Sequence, residues 1–224
     1  VAPVTIDEDI RYSEQMKGAR DFVRAFQDFT AALFATFAEK GTLNLAEVTE
    51  WVKKAIQAIR DCRDCVIRFL EANADPARYQ VTHAVNSTVL ALVIGEYLKA
   101  PPHRLIELGN ACMLHEIGMT KLPESLQRSS RALSPDEKKA LSAHTAMGYR
   151  ILKGISAPEN VALAALEHHE RIDGSGYPRG LAGEKITEYA RIIAVACSYD
   201  AMVSHRPFRE KSIGGHSAIR EFLQ

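Results

Sequence analysis

Seven residues of this chain are candidates to hold a metal ion: His83, His115, Glu116, His144, His168, His169 and Cys197. Imidazole nitrogens, carboxylates and thiolates are the usual protein donors to zinc and iron. His168 and His169 are adjacent. Neighbours on a helix point about 100° apart, so this pair reaches two different ions, or one ion and a ligand. They run into the loop Glu170-Arg171-Ile172-Asp173-Gly174-Ser175-Gly176-Tyr177-Pro178. There Gly174 and Gly176 supply backbone freedom over a site, and Pro178 stiffens the exit. A single inward histidine is usually structural, but five with a carboxylate among them fit better as ligands. The donors suffice for two ions with Glu116 as bridge. Two ions ~3.5–4 Å apart lower the pKa of a shared water toward ~7 and clamp a phosphodiester for in-line attack. The expected centre therefore holds one or two divalent ions, with His115, Glu116, His168 and His169 at the chemistry and no protein nucleophile.

Helices must carry these groups. Phe22, Phe26, Phe29, Leu33 and Phe37 share one helical face, and Gly41 then breaks the chain. Asn44 followed by Glu47 has the pattern of a capping box. Val48, Val52, Ala55, Ile59, Cys62, Val66 and Phe69 alternate by four and three, a heptad seam. The seam packs either on the preceding helix as an antiparallel hairpin or on a second subunit. Cys62 and Cys65 form a Cys-x-x-Cys with Cys62 on the apolar stripe, and a buried thiol filling the core is favoured over zinc or redox chemistry. The stretch 71–77, containing Asp75-Pro76, reads as a hinge. It divides an N-terminal helical module (1–74) from a second domain (75–224).

Beyond the hinge, histidines fall on apolar stripes. His83 lies one turn into a helix carrying Val81, Val85, Val89, Leu92 and Val93. The next stripe is Leu105, Leu108, Cys112 and His115, with Gly118 expected to stop that helix. Ser134-Pro135-Asp136-Glu137 is a helix start, leading to one helix with Leu141, His144, Gly148 and Ile151 inward. Val161, Ala165 and His168 follow, and a last helix over roughly 187–203 aligns Tyr189, Ile193, Cys197 and Asp200. No alternating β pattern occurs, so the expected fold is all-α.

Apolar residues make up 46% of the 224 residues, enough to fill a core. Lys plus Arg and Asp plus Glu are both 28, so no global field invites a nucleic-acid polymer or an anionic membrane. No apolar run approaches a membrane span, no signal-peptide pattern opens the chain, and four cysteines suggest no disulfide framework. A cytoplasmic location follows as the expectation, as does continuation of the chain past residue 224.

These residues in this order resemble the HD-GYP family, a branch of the HD phosphohydrolase superfamily. The resemblance rests on His83, His115-Glu116-Ile117-Gly118, His144, His168-His169-Glu170 with Asp173-Gly174-Ser175-Gly176-Tyr177-Pro178, and the run from Arg191 to Ala201. It implies a helical bundle with a metal centre in its core, and a phosphodiesterase that hydrolyses cyclic di-GMP to pGpG or on to GMP. The metal ligands it implies are His83, His115, Glu116, His144, His168, His169 and Cys197. It implies substrate contacts from Gly176, Tyr177 and Pro178, and phosphate contacts from Arg206 and Arg209.

The chain departs from the family pattern at four positions. Glu116 replaces the name-giving Asp, Met119 replaces a Lys, Cys197 replaces the last metal-binding Asp, and Tyr79 replaces the Glu that serves a third ion. A thiolate suits iron or zinc better than manganese or magnesium, so iron is the first expectation, with manganese or zinc as alternatives. The expected partners are a cyclic dinucleotide, a second copy through the N-terminal helices, and a signalling protein. The alternative to catalysis is a cyclic-dinucleotide receptor or protein-interaction module on the same fold.

Overall fold

The phenylalanine spacing produces one long helix, α1 (Ile6–Lys40), in the computed structural model, which describes residues 6–72, 78–127, 129, 131–204, 217, 218 and 220. Gly41, at φ +68°, turns the chain into α2 (Leu45–Ala72). The Asn44 side-chain oxygen accepts from Ala46 N at 3.1 Å and caps α2. Phe26 and Phe29 stack on Trp51 at 5.8 and 5.0 Å. Val48, Val52 and Ala55 are buried against α1 and the helices that follow. The seam thus closes an antiparallel hairpin within the chain.

The free-thiol expectation for Cys62 and Cys65 is wrong: a disulfide joins them. Cys62 leaves helical geometry (φ −159°, ψ 85°) and kinks α2. Past the kink the buried stripe changes phase, to Cys65, Val66 and Leu70, while Cys62 and Phe69 are half-buried. A thiol and a half-cystine occupy the same place in a heptad, so the spacing could not distinguish them.

The central helix is α3 (Tyr79–Tyr97), buried on nearly every side, as an apolar helix must be when others surround it. It packs on α1, α2, α4 (Pro102–Leu114) and, from the far end of the chain, α9. A 3-10 turn (Ile117–Lys121) and the short α5 (Glu124–Gln127) lead to α6 (Pro135–Ser142). The capping box at Ser134 is formed in full: Glu137 N donates to Ser134 Oγ, and Ser134 N to the Glu137 carboxylate.

Two local expectations need correction. The helix expected to run from Ser134 through Ile151 breaks at Ala143 into α6 and α7 (His144–Gly154). There the His144 and Thr145 side chains take up the carbonyls of Leu141 and Ser142. Gly118 does not stop α4, which already ends at Leu114. It lets the 3-10 turn touch α7, because a Cβ on Gly118 would lie 2.0 Å from His144 O. Then come α8 (Glu159–Glu167) and α9 (Glu188–Val203), with α8 packed on α4 and α7.

The described residues form an all-α fold, with a single isolated bridge, Asp173 to Ala182. The α1–α2 hairpin shares one core with α3 and α4. The expected hinge falls largely on residues 73–77, outside the described residues. No described helix is long and apolar enough to cross a membrane.

Candidate metal centre

Three of the histidines sit at helix ends, where backbone carbonyls lack intrahelical partners. His115 caps α4, His144 opens α7, and His168 caps α8. Each turns its ring back on its own chain: Nδ1 lies 2.5 Å from Cys112 O, 2.7 Å from Leu141 O and 3.0 Å from Ala165 O, respectively. A carbonyl only accepts, so each Nδ1 carries the proton and the neutral ring presents a bare Nε2. On α3, His83 Nδ1 meets Asp200 Oδ2 at 2.6 Å, and Asp200 also accepts from Asn86 and Ser204 at 2.8 Å each. Rings oriented in this way by carbonyls and carboxylates are the usual support of metal-ligating histidines.

The freed atoms converge in two groups. His83, His115 and Cys197 bring their donor atoms within 4.8 Å of one another, as do Glu116, His144, His168 and His169. Glu116 stands between the groups, with Oε1 3.8 Å from His115 Nε2 and Oε2 3.7 Å from His144 Nε2. Glu116 Oε2 is buried without a hydrogen-bond partner, and His144 Nε2 faces His168 Nε2 at 3.3 Å. With both rings neutral, two bare lone pairs aimed at each other beside an orphaned carboxylate oxygen repel unless a cation, a proton or a metal ion, lies among them. The donor set therefore fits divalent metal.

For the adjacent pair His168 and His169 the electrostatics agree. Burial pushes His168 well below the usual histidine range and His169 down to about 3, with neighbouring histidines adding to both shifts. Both rings stay neutral and able to ligate. Burial would raise Glu116, but the surrounding histidines, His144 foremost, outweigh it when they are protonated and hold the carboxyl at about 2. Burial would likewise raise Cys197, yet His115 and His83, when they carry positive charge, bring the thiol down to about 6.

The glycine loop closes over this centre. Tyr177 stacks on His169 at 4.7 Å, and Tyr177 N donates to His169 O. Gly174 has φ +80°, the freedom expected of it. Gly176 serves differently: a Cβ there would lie about 2.5 Å from Glu170 Cα and His169 O, so the backbone itself needs the space. The Tyr177–Pro178 peptide is cis. Partial burial and the charge of Glu116 push the Tyr177 hydroxyl well above the usual phenol range, keeping it a hydrogen-bond donor.

Some contributors were not singled out from the sequence. Glu170 and Glu167, both buried, accept from the backbone N–H groups of Arg179, Leu181 and Thr187 and from the Arg179 guanidinium, pinning the segment after the loop. Glu170 follows the histidine pair directly, but nothing in the spacing of Glu167 distinguishes it from a surface acid. Asp200 was visible as an inward carboxylate, though not as the partner of His83. Lys121 lies over the Phe37 ring of α1 and does not replace the charge missing at Met119. Arg206 and Arg209 lie outside the described residues. A groove of about 740 Å³ opens beside the centre, between the loop and α9, with His168, His169 and Tyr177 on its walls.

An all-α bundle with two histidine groups and a carboxylate between them has the donor set of a metal-dependent phosphohydrolase domain. The family model described as HD domain matches residues 66–221, and the chain belongs to that family; its paired histidines and Gly-Tyr-Pro loop are those of the HD-GYP branch, with Glu116 standing where that branch has Asp. Over 109 residues it is 44% identical to the cyclic di-GMP phosphodiesterase response regulator RpfG of Xanthomonas campestris, covering 48% of this chain and 28% of that protein. Over 143 residues it is 28% identical to the cyclic di-GMP phosphodiesterase PdeB of Borreliella burgdorferi, covering 64% of this chain and 38% of that protein. The chain thus spans well under half the length of these relatives. Among solved structures, Bd1817, a HDG"Y"P protein from Bdellovibrio bacteriovorus, shares the fold with a TM-score of 0.69 at 16% identity, over 98% of this chain and 75% of that one.

Proposed function

We propose that this chain is the catalytic part of a metal-dependent phosphodiesterase that opens cyclic di-GMP to the linear dinucleotide pGpG, and on to GMP where the second bond is also cut. The observation that carries the reading is Glu116 between the two histidine groups, 3.8 Å from His115 Nε2 and 3.7 Å from His144 Nε2. His83, His115 and Cys197 would hold one ion, and His144, His168 and His169 the other, with Glu116 shared. Ions so held supply charge for the phosphodiester oxygens and activate the attacking water. The protein groups do the rest. Tyr177 would donate its hydroxyl at the mouth of the groove, and Glu167 and Glu170 hold the segment that follows the loop. Iron is the proposed metal, because Cys197 adds a soft donor to an otherwise nitrogen-and-oxygen set.

Cyclic di-GMP hydrolysis by anaerobically purified, iron-replete protein tests the reading, with products separated chromatographically. Replacing both His168 and His169 by Ala should abolish metal and turnover together. Met119→Lys should raise turnover more than affinity, since a contact to developing phosphate charge is often worth ~10²–10³ in rate. Tight binding without hydrolysis, persisting after Met119→Lys and Glu116→Asp, would make the chain a receptor instead. The N-terminal hairpin is proposed to relay signals or dimerise through its outer face, where Ile10 and Tyr12 are exposed. Light scattering with and without residues 1–74 tests that role.

A further inference from the structure

The groove beside the metal centre contains a charge with no counterpart among the described residues. Arg191, Ala194, Val195 and Ser198 line one wall, spaced to share a face of α9, and the 170–177 loop forms the other. Arg191 Nε is buried and has no hydrogen-bond partner among the described residues. The neighbouring arginines are occupied: Arg171 is 3.7 Å from Asp173, and Arg179 is bonded to Glu167. The acid one turn before Arg191, Glu188, is taken by Arg104 at 2.6 Å. A buried donor left without a partner is costly. Arg191 is therefore poised for an anion that enters the groove.

We infer that Arg191 binds the non-scissile phosphate of the cyclic dinucleotide, a second anionic subsite in the same groove. This rests on the proposed function. A cyclic dinucleotide has two phosphodiesters on opposite sides of one ring, so groups at the metal centre that engage one cannot also hold the other. A volume of about 740 Å³ suits a ligand of this size. Ile172 and Val195, 71% and 47% exposed on the facing walls, offer apolar surface for a base beside that phosphate. Arginine fits the role because its planar fork matches two phosphate oxygens.

The test compares parent, Arg191→Met and Arg191→Lys on two substrates: cyclic di-GMP, and bis(p-nitrophenyl) phosphate, which has a single phosphodiester. Metal content and melting temperature are measured alongside. Arg191→Met should raise KM for cyclic di-GMP roughly 10–100-fold, raise it far less for the simple ester, and keep bound metal at the parent level. Arg191→Lys should recover part of the loss, and it carries the test if the Met variant does not fold. Equal effects on both substrates, or none on cyclic di-GMP, overturn the inference while leaving the phosphodiesterase reading intact. If the parent hydrolyses no cyclic di-GMP, that reading fails, and calorimetric binding decides the inference. Weaker binding by Arg191→Met supports it; unchanged binding, or no binding by the parent, overturns it.

Discussion

Cys197 Sγ lies 3.3 Å from His115 Nε2, so a thiol on α9 completes a donor group begun on α3 and α4. Were it a mere filler, Cys197→Ala would bind metal as tightly as the parent. As a ligand, its replacement by Ser should lower metal affinity by at least the roughly 10–100-fold typical of an outer-sphere partner, with helical content unchanged by circular dichroism. Cys197→Asp should keep metal and shift preference toward manganese, a harder ion. Elemental analysis of protein prepared with iron and manganese together reads both outcomes.

The 2.6 Å contact between His83 and Asp200 makes a second, separable prediction. Asp200→Asn preserves shape but weakens the acceptor that orients the His83 ring. Metal affinity should fall roughly 10–100-fold, measured by competition with a chelating dye. An unchanged affinity would mean that His83 is held by packing alone.

Gly118 and Gly148 face each other across the 3-10 turn and α7, yet should respond oppositely to alanine. A Cβ on Gly118 would overlap backbone atoms of His144 and Gly148, which cannot swing away. Gly118→Ala should therefore cost about 1–3 kcal/mol or more, lowering Tm by several degrees and disturbing His144. At Gly148 the nearest atom to a new Cβ is Ala165 Cβ at 3.4 Å, an ordinary contact. There the helix-favouring alanine should leave Tm unchanged or slightly raised. Thermal melts of the two variants decide the matter; equal losses would refute the packing role assigned to Gly118.

The Cys62–Cys65 bond predicts a thiol count. Alkylation of the unfolded, unreduced protein should label Cys112 and Cys197 alone, and all four cysteines after reduction. Mass spectrometry distinguishes these products. Four labels before reduction would show that the kink at Cys62 needs no covalent link.

The sequence by itself determined the residue types of the centre and the helical fold. Ligand chemistry is a property of side chains, and His115, His144 and His168 each fall on a stripe whose spacing marks it as inward. The Ser134 capping box was equally legible, because a cap depends only on residues three positions apart. Only the tertiary structure decided which donors meet. His83, Cys197 and Asp200 come together across more than a hundred residues, and periodicity tells which face of a helix is buried but not what lies opposite. The same limit hid the role of Gly118, whose missing Cβ matters only because α7 passes over it. It also hid Arg191, whose side chain lacks a partner among the described residues because of which helices and loops pack around it.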